Sequence, residues 1–541
     1  MRKLMLLRLV IILVLAAASL QAQVTYDRIL AGVDKEPHNW LSYSGTPKNQ
    51  RFSPLTQITT ANVKNLQQAW IWQARSLEKF QATPIVVDGV MYTVEAPNNV
   101  VALDAATGRP FWQFNYTPAP EARACCGRVN RGVAILGNTL YLGTLDAHLI
   151  ALDAKTGQQI WKSQVALAKA GYSITHNPTI VKDKVIVGTG GGDGPIRGYI
   201  AAFDAKTGAE AWRFYTIPGP GEPGNDTWAG DSWKVGGVGV WNAGAYDPET
   251  NLVFFGTGNP APDWDGSTRR GDNLYSDSVV ALDADTGRLK WHYQFTPHDE
   301  LDYDSTQVPV LADIQWQGKP RKVMLWANRN GVMYVLDRVT GEFLKGKPYV
   351  KTNWLDGFDA KGRPNRVKFP TKEGTAIYPH VHGATNWAPP AFSPRTGLFY
   401  VATWENSGSF AVEGQFPRAI PGPNTRQTTM GATNLVPFYN DPDTGEAYGV
   451  VRAYDPQTLD QKWEFKLGDI TWGGTLVTAG DVVFSGGRDG YFLALDAKTG
   501  ALLWKANVGG QINAAAMSYA VNGKQYIAIN AGSSLFTYAL P

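Results

Sequence analysis

Cysteine is scarce in this chain. Its 541 residues include only two, Cys125 and Cys126, and these two are neighbours. The sequence has no Cys-x-x-Cys-His motif, the pattern that attaches haem c covalently. These 541 residues therefore exclude a covalently bound haem c.

Long hydrophobic runs are scarce as well. The clearest one, residues 9–18, follows a basic start and precedes Ser-Leu-Gln-Ala, a suitable cleavage site before Gln23. A run of this length is too short to span a membrane comfortably, and the pattern is typical of a secretory signal peptide. We therefore expect residues 1–22 to be a signal peptide, the rest to contain no membrane span, and the mature chain to be periplasmic.

An excess of charge of either sign is lacking too. The chain has 50 Lys and Arg against 47 Asp and Glu, and residues 1–22 hold three of the bases and none of the acids. The mature chain is therefore formally neutral, at 47 against 47. Because nucleic-acid binding calls for a basic face, this balance argues against a nucleic-acid partner.

The two adjacent cysteines have three interpretations. Exported thiols tend to oxidise, which favours a disulfide between Cys125 and Cys126. Such a bridge encloses no chain loop, so it lacks the usual entropic stabilisation, and it points to a local purpose such as a rigid platform against a flat ligand. Two buried free thiols, or bridges to another chain, are the alternatives.

What the chain does contain is a repeated phrase. Asp and Trp recur eight residues apart, with Thr-Gly between them in all copies but one; the pairs are Asp104/Trp112, Asp153/Trp161, Asp204/Trp212, Asp283/Trp291, Asp455/Trp463 and Asp496/Trp504. The Asp accepts turn N–H groups and the Gly takes the positive φ that closes the turn. The Trp then lies on the return strand, where it can pack toward the neighbouring copy.

Short runs of strand formers lie between these phrases, and weaker copies occur at 247–250, 337–341 and 393–397. Four short strands per unit predict an all-β fold, an eight-bladed β-propeller with Trp-docking repeats. We expect residues 23–541 to form this single domain, although seven or nine blades also fit the phrases.

Polar residues on glycine- and proline-rich loops suggest a site. Asp193, Asn259, Asp302 and Asp304 offer oxygen ligands of the kind that a hard cation such as Ca²⁺ prefers. Each of them taken alone also fits an ordinary turn carboxylate or amide, and spacing does not show that they converge.

Several motifs, in order along almost all of the mature chain, resemble the quinoprotein alcohol and methanol dehydrogenases, which use pyrroloquinoline quinone (PQQ). The motifs are Ala-Cys125-Cys126-x-x-Val-Asn130-Arg131-Gly, Gly230-Asp-Ser-Trp-Lys-x-Gly-Gly237, Gly-Thr-Gly-Asn259-Pro-Ala-Pro, His298-Asp-Glu-x-Asp302-Tyr, Asn328-Arg329-Asn-Gly331 and Trp472-Gly-Gly-Thr. The resemblance implies an eight-bladed propeller with the quinone near its axis.

The resemblance also assigns the cofactor site, residue by residue. It implies that the disulfide covers one face of the quinone and that Trp241 covers the other. The residues that it places around the cofactor are Gln81, Cys125, Cys126, Arg131, Thr175, Gly191, Gly192, Trp241, Arg329, Asn386 and Trp472. Arginine suits the three carboxylates of this cofactor because it binds them in bidentate fashion.

For the reaction, the resemblance implies Asp302 as general base and Arg329 as the cation beside the reacting oxygen. The metal ligands that it implies are Asp193, Asn259, Asp302 and Asp304. The ion is Ca²⁺ or a lanthanide, and the additional acid Asp304 resembles the lanthanide-using branch. Asp193 departs from the family's usual Glu, and Gly190 stands where a cofactor-contacting Ser is common.

The resemblance implies oxidation of a small alcohol, or of an aldehyde or polyol, with a separate cytochrome c as electron acceptor. Three alternatives remain at this point: a non-catalytic scaffold propeller of the cell envelope, a family member that binds the cofactor without turnover, and an enzyme for sugars or polyols. A homodimer is one arrangement that the sequence allows.

Overall fold

The fold is an eight-bladed β-propeller, as the repeats predict. The computed structural model describes residues 23–122, 124–415, 427–430, 434–437 and 447–541, so the expected signal peptide lies outside the described residues. Each blade contains four antiparallel strands that follow one another outward, and one blade has a fifth strand that pairs in parallel with its first strand. Among the described residues, the α-helix α1 (Tyr26–Lys35) precedes the blades.

The strands, numbered in chain order, have the following bounds. The first half contains β1 Phe52–Ser53, β2 Gln67–Gln73, β3 Ile85–Val87, β4 Val90–Glu95, β5 Asn99–Asp104, β6 Pro110–Phe114, β7 Ala134–Leu136, β8 Thr139–Gly143, β9 His148–Asp153, β10 Gln159–Gln164, β11 Thr179–Val181, β12 Lys184–Gly188, β13 Tyr199–Asp204, β14 Glu210–Tyr215, β15 Ala245–Asp247, β16 Leu252–Gly256, β17 Ser278–Asp283 and β18 Leu289–Gln294. The second half contains β19 Val310–Trp316, β20 Lys319–Ala327, β21 Val332–Asp337, β22 Phe343–Pro348, β23 Leu355–Phe358, β24 Pro364–Arg366, β25 Thr375–Ile377, β26 Ala391–Phe392, β27 Phe399–Glu405, β28 Ser409–Ala411, β29 Gln427–Met430, β30 Asn434–Pro437, β31 Tyr448–Tyr454, β32 Gln461–Lys466, β33 Leu476–Thr478, β34 Val482–Gly486, β35 Tyr491–Asp496, β36 Leu502–Asn507, β37 Met517–Val521, β38 Lys524–Ala531 and β39 Ser534–Ala539.

The blades follow the chain. In order they are β3–β6, β7–β10, β11–β14, β15–β18, β19–β22, β26 with β27, β31 and β32, β33–β36, and finally β37–β39 with β2. The last blade joins the C-terminal strands to β2, which closes the ring because one sheet contains both ends of the propeller. Within the described residues, no helix combines the length and apolar character that a membrane crossing requires.

The repeated phrase forms the predicted turn and docking contact. Asp104 accepts hydrogen bonds from the backbone N–H groups of Ala106 and Thr107 at 2.9 and 3.0 Å. The indole N–H of Trp70, on β2, donates to the carbonyl of Ala105 in the same turn at 3.2 Å. Equivalent contacts join later blades, from Trp112 to Ala154, Trp161 to Ala205, Trp212 to Ala284 and Trp463 to Ala497.

Glycine is required in these turns for two reasons. Gly108 has a φ of +74°, and a Cβ at this position would lie 2.5 Å from the ring of Trp70. We expect Gly108→Ala to lower the free energy of unfolding by about 2 kcal/mol or more, because it combines backbone strain with a clash. Denaturant titration of the purified protein measures this loss.

Gly89→Ala is the matched control for that variant. Gly89 also has a positive φ, +85°, but no atom of the described residues, apart from Gly89 itself and its chain neighbours, lies within 4 Å of the position that its Cβ would take. It therefore reports backbone strain without the tryptophan clash, and we expect a clearly smaller loss. If both variants lost the same free energy of unfolding, the clash with the Trp70 ring would contribute nothing to the effect of Gly108→Ala.

Candidate active site

The candidate site is a cavity of about 960 Å³, including the space at its mouth, at one end of the propeller. Its residues come from loops that lead into the first strand of a blade or that link the second strand to the third. Adjacent strands are antiparallel, so the start of the first strand and the end of the second lie at the same edge of a blade. Loops from seven blades therefore meet in one place.

Every residue that the sequence resemblance assigns to the cofactor, the metal or catalysis lines this cavity. The structure places there Gln81, Cys125, Cys126, Arg131, Thr175, Gly191, Gly192, Asp193, Trp241, Asn259, Asp302, Asp304, Arg329, Asn386 and Trp472. The structure thus shows that these residues converge, which their spacing along the chain does not reveal. The role of each residue remains a prediction.

The adjacent cysteines form a disulfide, which confirms the first of the three interpretations. Their Cα atoms are 3.8 Å apart, and both residues are exposed at the cavity. Trp241 is half-buried and lines the same cavity. The site thus offers an exposed disulfide and an indole as apolar surfaces for a flat ligand.

Arg131 is a buried cation without an acidic partner in the described part of the chain. It donates to the hydroxyl of Thr175 at 3.1 Å and to the carbonyl of Trp241 at 3.3 Å, and its Nε has no hydrogen-bond partner. Its guanidinium lies 5.1 Å from the ring centroid of Trp241 and 5.8 Å from that of Trp387. Burial lowers the pKa of Arg131 to about 10. An anion in the cavity would offset the free-energy cost of burying the charge of Arg131.

Arg329 connects two carboxylates. One guanidinium nitrogen donates to Asp302 and the other to Asp304, each at 2.6 Å, while its Nε donates to the carbonyl of Val381 at 2.8 Å. Burial alone would lower the pKa of Arg329, but the two carboxylates outweigh it and raise the pKa above its ordinary value. Oδ1 of Asp302 has no hydrogen-bond partner among the described residues.

The carboxylates around Arg329 need more positive charge than Arg329 supplies. Burial is the main cause that raises the pKa of Asp302 well above its usual range, and Asp304 and Asp193 add to it. Burial and Asp304 raise the pKa of Asp193 to about 6, although its side chain is open to the cavity. Burial and Asp193 raise the pKa of Asp263 to about 8. A bound cation would relieve this repulsion.

Asn259 is oriented by its neighbours. Its side-chain N–H₂ donates to Asp263 at 2.7 Å and to the carbonyl of Pro260 at 3.3 Å, while its backbone N–H donates to Asp304 at 2.9 Å. The amide nitrogen is thus occupied by protein acceptors, which leaves the amide oxygen for the cavity. This arrangement suits a ligand of a hard cation.

The cavity also contains four residues that lie in none of the sequence motifs: Lys79, Ser173, His382 and Trp387. Ala124 and Val129, from the motif of the two cysteines, and Gly190 complete its lining. Trp387 stacks on Trp472 with ring centroids 4.6 Å apart and planes within 5°. The hydroxyl oxygen of Ser173 lies 2.9 Å from where a Cβ of Gly190 would be. Ser173 therefore places a hydroxyl close to the position where the resemblance leads one to expect a serine side chain.

Asp277 is a further acid behind the cavity. It is fully buried, and neither carboxylate oxygen has a hydrogen-bond partner among the described residues. Burial raises its pKa well above the ordinary 3.8; Asp299 and Asp304 add to this rise and Arg269 opposes it. There is therefore a range of pH in which Asp277 is protonated in the folded protein but ionised in the unfolded chain.

This pKa difference predicts how Asp277→Asn changes stability. Since the folded-state pKa is the higher one, the contribution of Asp277 is fully present below the unfolded value and is lost as the pH rises toward the folded value. Asparagine does not titrate, so we expect the difference in Tm between variant and wild type to grow in favour of the variant from pH 4.5 to pH 8. A difference that stays constant over this range would contradict the prediction.

The cavity fits the group that the sequence resemblance implies. Arg131 has an orphaned Nε and no acidic partner, which suits a carboxylate of the cofactor. The carboxylates near Arg329, with the orphaned Oδ1 of Asp302, suit a multivalent cation. A flat anionic molecule that also binds a metal matches both regions of the cavity.

Comparisons with known proteins agree with this fit. Residues 40–346 and 445–527 match the family model "PQQ: Glucose/ethanol/alcohol dehydrogenase, beta-propeller domain". Quinohemoprotein alcohol dehydrogenase ADH-IIG of Pseudomonas putida is 40% identical over 95% of this chain and 75% of that protein. A lanthanide-dependent methanol dehydrogenase of Methylacidiphilum fumariolicum is 36% identical over 93% of this chain and 86% of that protein.

The solved structure of quinohemoprotein alcohol dehydrogenase from Comamonas testosteroni superimposes with a TM-score of 0.87 at 36% identity, over 97% of this chain and 84% of that one. Fold, sequence and cavity thus agree, which removes the scaffold alternative. The chain belongs to the PQQ-dependent alcohol dehydrogenase family of β-propeller enzymes.

Proposed function

We propose that the enzyme oxidises a small alcohol in this cavity with bound PQQ and one metal ion. The observation that carries this proposal is the arrangement around Arg329, which holds Asp302 and Asp304 at 2.6 Å each. It leaves Oδ1 of Asp302 without a hydrogen-bond partner in the described part of the chain. PQQ bound in this cavity would supply the oxidising power for the reaction, as the two-electron acceptor for the hydride of the alcohol carbon.

Asp302 is the proposed general base. Its Oδ2 is fixed by Arg329, so the orphaned Oδ1 is the atom that accepts the proton of the alcohol hydroxyl. Arg329 stabilises the ionised form of Asp302 and places positive charge beside the reacting oxygen. The proposed clamp for the cofactor is Arg131 with Thr175, and the disulfide and Trp241 exclude water from its two faces.

Asp193, Asn259, Asp302 and Asp304 are the proposed metal ligands. Three acids with one asparagine favour a trivalent lanthanide over Ca²⁺, because the higher charge offsets more of the repulsion among the carboxylates. A lanthanide-dependent relative supports the same choice.

Three further inferences concern the location of the enzyme, its domain organisation and its electron acceptor. We infer that residues 1–22 direct the chain to the periplasm, that residues 23–541 form one catalytic domain, and that a separate cytochrome c accepts the electrons. The leader pattern supports the first of these inferences. A homodimer is compatible with them.

Dye-linked alcohol oxidation tests the proposal. The purified protein is reconstituted with PQQ and either Ca²⁺ or La³⁺, then assayed with primary alcohols, aldehydes and polyols. We expect turnover of primary alcohols, with La³⁺ more effective than Ca²⁺. Turnover with Ca²⁺ alone would overturn the lanthanide assignment, and no turnover with any substrate would overturn the function.

A further inference from the structure

Lys79 is a cavity residue that the proposed reaction does not use. It lines the cavity together with Gln81, and its side chain is half-buried. Burial lowers the pKa of Lys79, and the charge of its exposed neighbour Glu78 opposes this effect. Among the described residues, the ammonium group has no ion-pair partner.

In the described part of the chain, two of the positive side chains that line the cavity are not neutralised by a nearby acid. Asp193, Asp302 and Asp304 all act on Arg329 and raise its pKa. Among the described residues, none of these acids forms an ion pair with Arg131 or Lys79, and burial lowers the pKa of both cations. In the part of the chain that the structure describes, Arg131 and Lys79 therefore face the cavity without a protein anion beside them.

His382 lies close to this part of the cavity. Its pKa is lowered well below 6.5, mainly by burial and further by His380, Arg329 and Lys79, so the imidazole is neutral at physiological pH. It lines the cavity beside Lys79 but supplies no negative charge. Gln81 is also uncharged, and its Oε1 has no hydrogen-bond partner among the described residues.

We propose that Lys79 forms a carboxylate-binding subsite of this cavity, distinct from the one at Arg131. The inference rests on the proposed function, because the ligand enters the same cavity. The carboxylate belongs either to the cofactor, which has three, or to an alcohol substrate that bears an acid group. In both cases the bound anion removes the cost of keeping Lys79 charged and half-buried.

Binding and kinetic measurements on the full chain test the subsite. The variants are Lys79→Met, which keeps the length of the side chain without its charge, and Lys79→Arg, which keeps the charge. Lys64→Met, at an exposed lysine that does not line the cavity, is the matched control. PQQ binding is measured through quenching of tryptophan fluorescence, and KM is measured for 1-hexanol and for 6-hydroxyhexanoate.

If the cofactor supplies the carboxylate, Lys79→Met raises the Kd for PQQ by about 10- to 100-fold, while Lys79→Arg and Lys64→Met stay near wild type. If the substrate supplies it, the Kd for PQQ is unchanged and Lys79→Met raises KM for 6-hydroxyhexanoate but not for 1-hexanol. Unchanged Kd and KM values in Lys79→Met overturn the subsite alone. Failure of the wild type to bind PQQ overturns the proposed function and the subsite with it.

Discussion

Asp302→Asn is expected to lower kcat by about a thousandfold or more while PQQ still binds. Asparagine has the shape of aspartate and accepts a hydrogen bond from Arg329 through its oxygen, but it does not accept the proton of an alcohol. General base catalysis contributes about 10²- to 10⁴-fold to a rate, which sets the size of the effect. Single-turnover rates of the reconstituted variant, with PQQ and metal occupancy determined beforehand, measure it.

Asp265→Asn is the matched control for Asp302→Asn. Asp265 accepts a hydrogen bond from the backbone N–H of Ser267 at 2.9 Å and does not line the cavity. We expect its turnover to equal that of wild type. If Asp302→Asn kept turnover within tenfold of wild type at full occupancy, the assignment of the base would be wrong.

Arg329→Met is expected to cause the second large loss, in both stability and turnover. It leaves two carboxylates, Asp302 and Asp304, without the cation that each contacts at 2.6 Å. Breaking a buried ion pair by removing one partner costs about 3–5 kcal/mol in free energy of unfolding. We expect kcat to fall at least a hundredfold because Asp302 then stays protonated and the positive charge beside the reacting oxygen is gone.

Two further variants separate these effects. Arg329→Lys keeps a charge but not the fork that reaches both carboxylates, so its loss is expected to be intermediate. Arg338 forms a fully buried pair with Asp247 at 2.8 Å in another part of the fold. We expect Arg338→Met to reduce stability by a similar amount without changing kcat well below its Tm. Equal turnover in Arg329→Met and Arg338→Met would contradict the role of Arg329.

The fold was largely predictable because each docking phrase encodes its own turn. Most of the phrases from Asp104 to Asp496 have a glycine that lies against a tryptophan ring, and so does the weaker phrase at 337–341. These phrases connect the third strand of a blade to the fourth. The weak phrases at 247–250 and 393–397 instead connect first and second strands, which is why the blade number stayed open. The last blade has no such phrase, since its outer strand comes from the N-terminal part of the chain.

The sequence predicted only those residues of the site that match the motifs of the family. Lys79, Ser173 and His382 belong to no motif that marks them, and they reach the cavity because loops of different blades converge. Trp70 carries no repeat phrase either, yet it docks on the first blade and helps to close the ring. Such contacts depend on the circular order of the blades, which the spacing of residues along the chain does not reveal.

A crystal structure of the protein reconstituted with PQQ and La³⁺ tests the central claim most directly. We predict one PQQ in this cavity, between the Cys125–Cys126 disulfide and Trp241, with a carboxylate on Arg131. The metal ion is expected to contact Asp193, Asn259, Asp302 and Asp304. Density for PQQ at another place, or a cavity without PQQ or metal in protein that oxidises alcohols, would contradict the account.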